Sequence, residues 1–429
     1  MIPSLSLRHT RLLRALSRRW QRRVIFMAGG LVVGLAAIGL ATASDFAQAQ
    51  FHRLLQYYWY AGFAVTPLGF GVAVYLTNRF FANAQGSGIP QAIAARHLEA
   101  QDARNRLVGP RVAAGKILMT LLGLLVGAST GREGPTVQIG ASIMFAIGRL
   151  SPNRQRGLIL AGAAAGVAAA FNTPLAGIVF AIEELSRSFE TRTSGLIISA
   201  VILAGLTSLA LFGNYTYFGS TASVLRTSTD WLAVPVCGGV CGLCGGLFSW
   251  ALIAVPTDLP NNIKGWITGH PVIFAIACGF GVALCGYFSG GAVYGTGYIQ
   301  ARQVLHGTGS VSLFYAPLKF AATALSSICG LPGGIFSPSL SVGAGLGADI
   351  SWIFPKTPLG AVVLLGMVSY FTGVVQAPIT AFVIVSEMTD NHAMLVPLMA
   401  AALVADAASK IVCREGVYHA LAKRYVIQN

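Results

Sequence analysis

Apolar positions fall in long blocks along most of this chain, at roughly 24–44, 55–77, 112–130, 136–148, 157–187, 195–213, 231–256, 271–289, 313–329, 335–354, 358–386 and 393–413. Several blocks are shorter than the roughly 20 residues that a simple bilayer-spanning helix needs, and many are cut by glycine or proline near their ends. The pattern predicts an all-α membrane protein built of short and interrupted helices.

Polar punctuation between the blocks repeats itself. Gly86-Ser87-Gly88-Ile89-Pro90-Gln91-Ala92 recurs as Gly295-Thr296-Gly297-Tyr298-Ile299-Gln300-Ala301. Gly131-Arg132-Glu133-Gly134-Pro135 recurs as Gly334-Ile335-Phe336-Ser337-Pro338, and Lys116 falls on Lys319 at the same spacing. Gly162, Pro174 and Glu183 recur as Gly366, Pro378 and Glu387. Two copies of one unit within lipid read as repeats facing each other. The expected organisation is a basic arm (1–23), a first repeat (24–215), a connector (216–230) and a second repeat (231–429) that ends in a short cytoplasmic tail with no appended soluble domain. The stretch holding Arg96, His97, Glu99, Asp102, Arg104 and Arg106 reads as a solvated loop. Two acids break the symmetry: Glu133 is matched by Phe336, and Glu184 by Met388.

Composition supports lipid as the solvent. Of 429 residues, 55% are hydrophobic and 10% charged, with a mean hydropathy of +0.68, too little polar surface for a soluble globule of this size. The first 23 residues carry seven arginines and no acid, which places the N-terminus in the cytoplasm. Ala41-Thr42-Ala43 and Ala47-Gln48-Ala49 resemble signal-peptide cleavage sites, but the apolar run before them is nearer spanning length. The net charge of +15 fits orientation and contact with anionic lipid; nucleic acid is not an expected partner. Seven cysteines in apolar settings argue for small-residue helix packing at Cys237, Cys241 and Cys244 rather than metal binding or disulfides. No metal and no cofactor is expected.

The glycine-proline blocks carry the chemistry. Each lets the backbone turn and starts a new helix at a proline, and the first turn of a helix exposes unpaired amides with partial positive charge. Several such ends converging make an anion site without a fully charged residue, which suits an ion that must also leave. Glu133 lies at one of these starts and can occupy the anion's place itself until protonated, which makes it a candidate gate and external proton carrier. Glu183 and Glu184 are adjacent, so on a helix they point about 100° apart. Glu183 has a counterpart in Glu387, which suggests a role common to both repeats, such as bonding backbone amides. Glu184 has none and is the candidate for internal proton transfer, with Glu183 as the second carboxylate of that site. Gly127-Ala128-Ser129-Thr130-Gly131 fits a hydrolase nucleophile elbow, but it closes an apolar helix and lacks the expected strand.

The blocks at 86–90, 131–140 and 334–338, followed by Tyr418 near the end, resemble the signature of the CLC chloride channel and transporter family, in order and spacing, from about residue 25 onward. The resemblance implies two inverted-topology repeats of tilted, broken helices. It also implies a central chloride held by the hydroxyls of Ser87 and Tyr418 and the amides of Ile335 and Phe336. Glu133 would be the external gating glutamate and Glu184 the internal proton glutamate, in a homodimer with one pore per subunit. Gly330-Leu331-Pro332 and Gln91 depart from the usual pattern without touching a proposed ligand. Having both glutamates resembles exchangers, so chloride/proton antiport across a prokaryotic inner membrane is expected; the alternative is a passive voltage- or pH-gated chloride channel.

Overall fold

The computed structural model describes residues 4–186, 191–213, 215–257, 259–309 and 312–427; Arg187 and Ser188, Asn214 and the first three residues of the basic arm lie outside the described residues. Its first half contains α1 (Ser4–Tyr57), α2 (Gly62–Phe80), α3 (Ile89–His97), α4 (Gln101–Val108), α5 (Pro110–Leu125), α6 (Glu133–Gly148), α7 (Gln155–Phe171), α8 (Pro174–Phe180) and α9 (Thr191–Phe212). The second half contains α10 (Ala233–Thr257), α11 (Asn261–Gly269), α12 (Pro271–Phe288), α13 (Tyr298–Leu305), α14 (Tyr315–Ile328), α15 (Phe336–Ser351), α16 (Leu359–Val375), α17 (Pro378–Thr389), α18 (Leu395–Val412) and α19 (Val417–Ile427). Among the described residues, six helices are long and apolar enough to cross a bilayer. Leucines and aromatics such as Leu31, Leu35, Leu206 and Phe280 are exposed on the outside, as lipid contact requires. Tyr57, Tyr58, Trp59 and Tyr60 are all exposed beside the end of α1, the amphipathic residue types that favour a membrane interface.

The halves are related by reciprocal contacts. Gly131 N donates to Gly334 O and Gly334 N to Gly131 O, both at 2.7 Å, an antiparallel pairing of equivalent positions. Glu183 accepts from the amides of Ile379 (3.0 Å) and Thr380 (2.6 Å) at the start of α17. Glu387 does the same for Leu175 (3.1 Å) and Ala176 (2.9 Å) at the start of α8. Each acid thereby caps the helix of the opposite repeat at its electropositive end. Within each repeat two helices approach through glycine: a side chain at Gly140 would run into the Gly162 carbonyl, and one at Gly343 into that of Gly366.

Three expectations change in detail. The apolar block at 24–44 continues as helix to Tyr57, since residues 45–56 hold no glycine or proline. The block at 157–187 breaks at Asn172 and that at 358–386 at Gln376, two non-glycine residues in left-handed conformation, φ +56° and +57°. The stretch around Arg96–Arg106 is solvated at His97, Glu99, Asp102 and Arg106 but is not a loop: the end of α3 and most of α4 run through it. Arg104 is buried there because its guanidinium is satisfied by Leu98 O (2.9 Å) and Gln155 Oε1 (2.8 Å).

Candidate functional site

Four helix starts meet near the centre. The turn before α3 is built on Gly86 and Gly88, at φ +63° and +92°, backbone that glycine adopts without penalty. Lys116, fully buried on α5, clamps it by donating to Gly86 O at 2.8 Å and Gln85 O at 3.3 Å. Lys319 on α14 does the same in the other repeat, to Val293 O and Gly295 O at 2.8 and 2.7 Å. Both buried ammonium groups are thereby directed onto backbone carbonyls of the turns.

Beyond the turn before α3 is a cavity of about 420 Å³, lined by Ser87, Ile335, Tyr418 and Gly86, with Lys264 and Arg424 also in its wall. Ser87 Oγ accepts from Ile89 N at 3.4 Å and so keeps its own proton to donate. Tyr418 on α19 is 1% exposed, and its hydroxyl has no hydrogen-bond partner among the described residues. An orphaned donor in a buried site costs about 1–3 kcal/mol and marks a place for an acceptor. Ile335 and Phe336 stand at the start of α15, where amides lack an intrahelical carbonyl. The Phe336 ring packs on Tyr418 (centroids 5.9 Å), Phe180 (5.6 Å) and Phe371 (4.9 Å), closing the site with apolar walls.

Glu133 opens α6 and is fully buried. The first turn of this helix lies against Ser87, since a side chain at Gly134 would meet Ser87 O. Glu133 is not paired to its neighbour: Arg132 Nη1 donates instead to Ala41 O at 2.6 Å and to Asp45. Glu133 Oε1 accepts from Ser337 Oγ at 2.5 Å and from the Tyr217 hydroxyl at 3.4 Å. Tyr217 lies in the stretch read from sequence as a polar connector and was invisible as a site residue. A tyrosine pair in an otherwise polar segment, Tyr215 and Tyr217, is the only signal there.

Glu184 is 1% exposed, within a π-helical turn at Ala181–Ser186, where the second repeat has ordinary helix. It is not the solvated helix end that the following polar residues would suggest. His419, next to Tyr418, donates through Nε2 to Glu184 O at 2.7 Å and stands 3.6 Å from Glu184 Oε1. Both line a wide opening that also contains Lys410, Arg414, Glu415 and Lys423. Tyr418 lies within electrostatic reach of Glu133 and Glu184 alike. Glu183 is placed differently, with both carboxylate oxygens committed to capping α17.

Ser129 is not in a nucleophile elbow: its hydroxyl pairs with Thr323 Oγ1 at 2.9 Å and its amide donates to Ser326, both across the repeats. Cys237 and Cys241 are buried in α10 as free thiols.

Residues 68–410 match the family described as voltage gated chloride channel. The chain belongs to that family. Among curated members, it is 32% identical to the H(+)/Cl(-) exchange transporter ClcA of Yersinia pestis bv. Antiqua (strain Angola), across 94% of this chain and 87% of the relative. The ClcA of Yersinia pseudotuberculosis serotype IB (strain PB1/+) is similar to the same extent. Among solved structures, a slow cyanobacterial Cl-/H+ antiporter superposes with TM-score 0.78 at 24% identity, over 95% of this chain and 98% of that one. A CLC-type fluoride/proton antiporter gives 0.77 at 23%, over 92% and 96%. At these identities the structures speak for the family fold alone.

Proposed function

We propose that this protein exchanges chloride for protons across a membrane by secondary active transport, as the names of its family relatives state for them. The observation that carries the reading is the cavity with the orphaned Tyr418 hydroxyl and the available Ser87 hydroxyl, adjoining the start of α15 and a buried carboxylate, Glu133. Two hydroxyl donors and two backbone amides, from Ile335 and Phe336, replace part of chloride's hydration shell. The helix end adds about half a positive charge, while the buried Lys116 and Lys319 are occupied by backbone carbonyls.

Glu133 carries the same charge as chloride and stands at an equivalent helix start, so it competes for the anion's path. Protonation removes its charge and weakens the bonds it accepts from Ser337 and Tyr217, and the side chain swings away to let an anion pass. The proton then belongs to Glu133 on one side and to Glu184 on the other. His419 links Glu184 to the opening, which offers protons from water. Chloride and a proton thus share the region around Tyr418 but leave by different groups. We further infer a homodimer with one pore per subunit in a prokaryotic inner membrane, with both termini cytoplasmic; the arginine-rich N-terminal segment supports that orientation.

The test is flux in reconstituted vesicles with chloride and pH recorded together. An imposed chloride gradient should drive protons uphill through the wild type. Glu133→Ala should keep chloride flux and lose proton pumping entirely. Downhill chloride movement by the wild type without proton transport would make it a passive channel and overturn the reading.

A further inference from the structure

Glu133 is held on one oxygen by a closed triangle of hydroxyls. Ser337 Oγ lies 2.5 Å and Tyr217 OH 3.4 Å from Glu133 Oε1, and the two hydroxyls are 3.3 Å apart. Glu133, Ser337 and Tyr217 are 0%, 1% and 3% exposed. The triangle joins both repeats and the connector and has no symmetric counterpart, because Phe336 stands where Glu133 would recur and Gly134 where Ser337 would. Tyr217 is fixed from all sides. Its ring packs edge-on against Phe171 (5.6 Å), Phe218 (5.1 Å) and Tyr298 (4.9 Å), and the next residue's amide donates to Met388 O at 2.9 Å.

We propose that Tyr217 and Ser337 are positioning residues that latch Glu133 in its closed, anionic state and so set the pH at which the gate opens. The inference rests on the reading of Glu133 as the gate. A hydroxyl that donates to a carboxylate favours the ionised form, and a proton arriving at Glu133 must displace that bonding. The remaining charged and titratable groups around the triangle are Arg132 at the start of α6, Asp45 on α1, Tyr215 in the same segment, Tyr298 on α13 and Tyr418 on α19. Arg132 and Asp45 satisfy each other, and none of these groups is altered by removing the two hydroxyls.

The sign follows. With the hydroxyls present, opening requires lower pH; without them Glu133 takes its proton at higher pH and leaves more readily. Tyr217→Phe with Ser337→Ala, which keeps the ring packing, should move the midpoint of the pH–flux curve upward by about one and a half units, and raise chloride turnover well above that midpoint about thirtyfold, from roughly 1 kcal/mol for each of the two hydrogen bonds. Chloride binding by titration calorimetry should tighten in parallel, because the competing carboxylate is held less firmly. Ser337→Thr, which retains a hydroxyl, should restore part of the wild-type midpoint. In a Glu133→Ala background the same pair should change nothing further, since the latch acts through Glu133. A pair variant with wild-type midpoint and wild-type chloride affinity overturns the latch, as does an equal effect in the Glu133→Ala background. Failure of the wild type to couple chloride to protons overturns instead the function on which the latch rests.

Discussion

The two repeats agree in several contacts that build the frame and differ at the residues proposed above to move charge. Glu183 and Glu387 cap each other's partner helices with the same pair of bonds. Lys116 and Lys319 clamp equivalent turns, and Asn172 and Gln376 break equivalent helices in the same left-handed conformation. Against this, Glu133 faces Phe336, Glu184 faces Met388, and Ser337 faces Gly134. The helix that carries Glu184 loosens into a π-helical turn, whereas its counterpart α17 stays regular. A perfectly symmetric pair of repeats would offer both sides the same groups. Directional coupling between an anion and a proton needs an acid that competes with the anion in one half only, and a second acid that reaches water elsewhere.

Neutralising the unmatched inner acid gives the sharpest test of that division. Glu184→Gln preserves shape and the backbone bond from His419 but cannot carry a proton. Proton movement in vesicles should fall to the level of protein-free controls while chloride still passes. Met388, its fully buried counterpart, has no proton to lose, so Met388→Leu should leave coupling unchanged. Coupled transport in Glu184→Gln at the wild-type rate would erase the distinction between matched and unmatched acids.

A moderate effect is expected where the repeats agree. Glu183→Gln and Glu387→Gln each weaken a carboxylate bound to two amides at a helix start. Charge-assisted bonds contribute about 1.5–3 kcal/mol, so each variant should lose stability by about that amount in thermal unfolding of the purified protein. The two losses should be equal within error, and proton coupling should survive both. A coupling defect in Glu183→Gln without one in Glu387→Gln would make Glu183 part of the proton path and break the comparison at its strongest point.

Much of this arrangement was legible in the chain because repetition turns one sequence into two observations. The blocks at 86–92 and 131–135, their echoes, and the unmatched acids are all visible without coordinates, and Glu133 lies at a helix start beside the turn of Ser87. Tyr217 was not legible. It sits in a segment of polar composition whose burial is decided by contacts with α7, α13 and α15, and nothing local to residues 216–230 reports those contacts. Arg104 was misread for a related reason: charge-rich sequence predicts solvent, but a guanidinium with a carbonyl and an amide oxygen in reach is stable inside. The helix breaks at Asn172 and Gln376 escaped notice because neither glycine nor proline occupies the turning residue itself.

Those breaks supply the smallest test and the cleanest one. Asn172 and Gln376 each pay for a left-handed backbone with a side-chain bond to a distant carbonyl, Asn172 Nδ2 to Tyr215 O at 2.8 Å and Gln376 Nε2 to Cys413 O at 2.6 Å. Glycine at either position removes the conformational strain, about 1 kcal/mol, but loses the bond, about 1 kcal/mol, and gains entropy when unfolded. Asn172→Gly and Gln376→Gly should therefore each lose no more than about 1 kcal/mol, and the losses should have the same sign. Gln376 anchors the residue just before the turn into α19, the helix of Tyr418, whereas Asn172 anchors the residue two before Tyr217. If the repeats share a frame and divide the chemistry, Gln376→Gly should weaken chloride affinity and Asn172→Gly should shift the pH at which flux begins. Identical functional changes in the two variants would show that the frame and the pathway are not separable in this way.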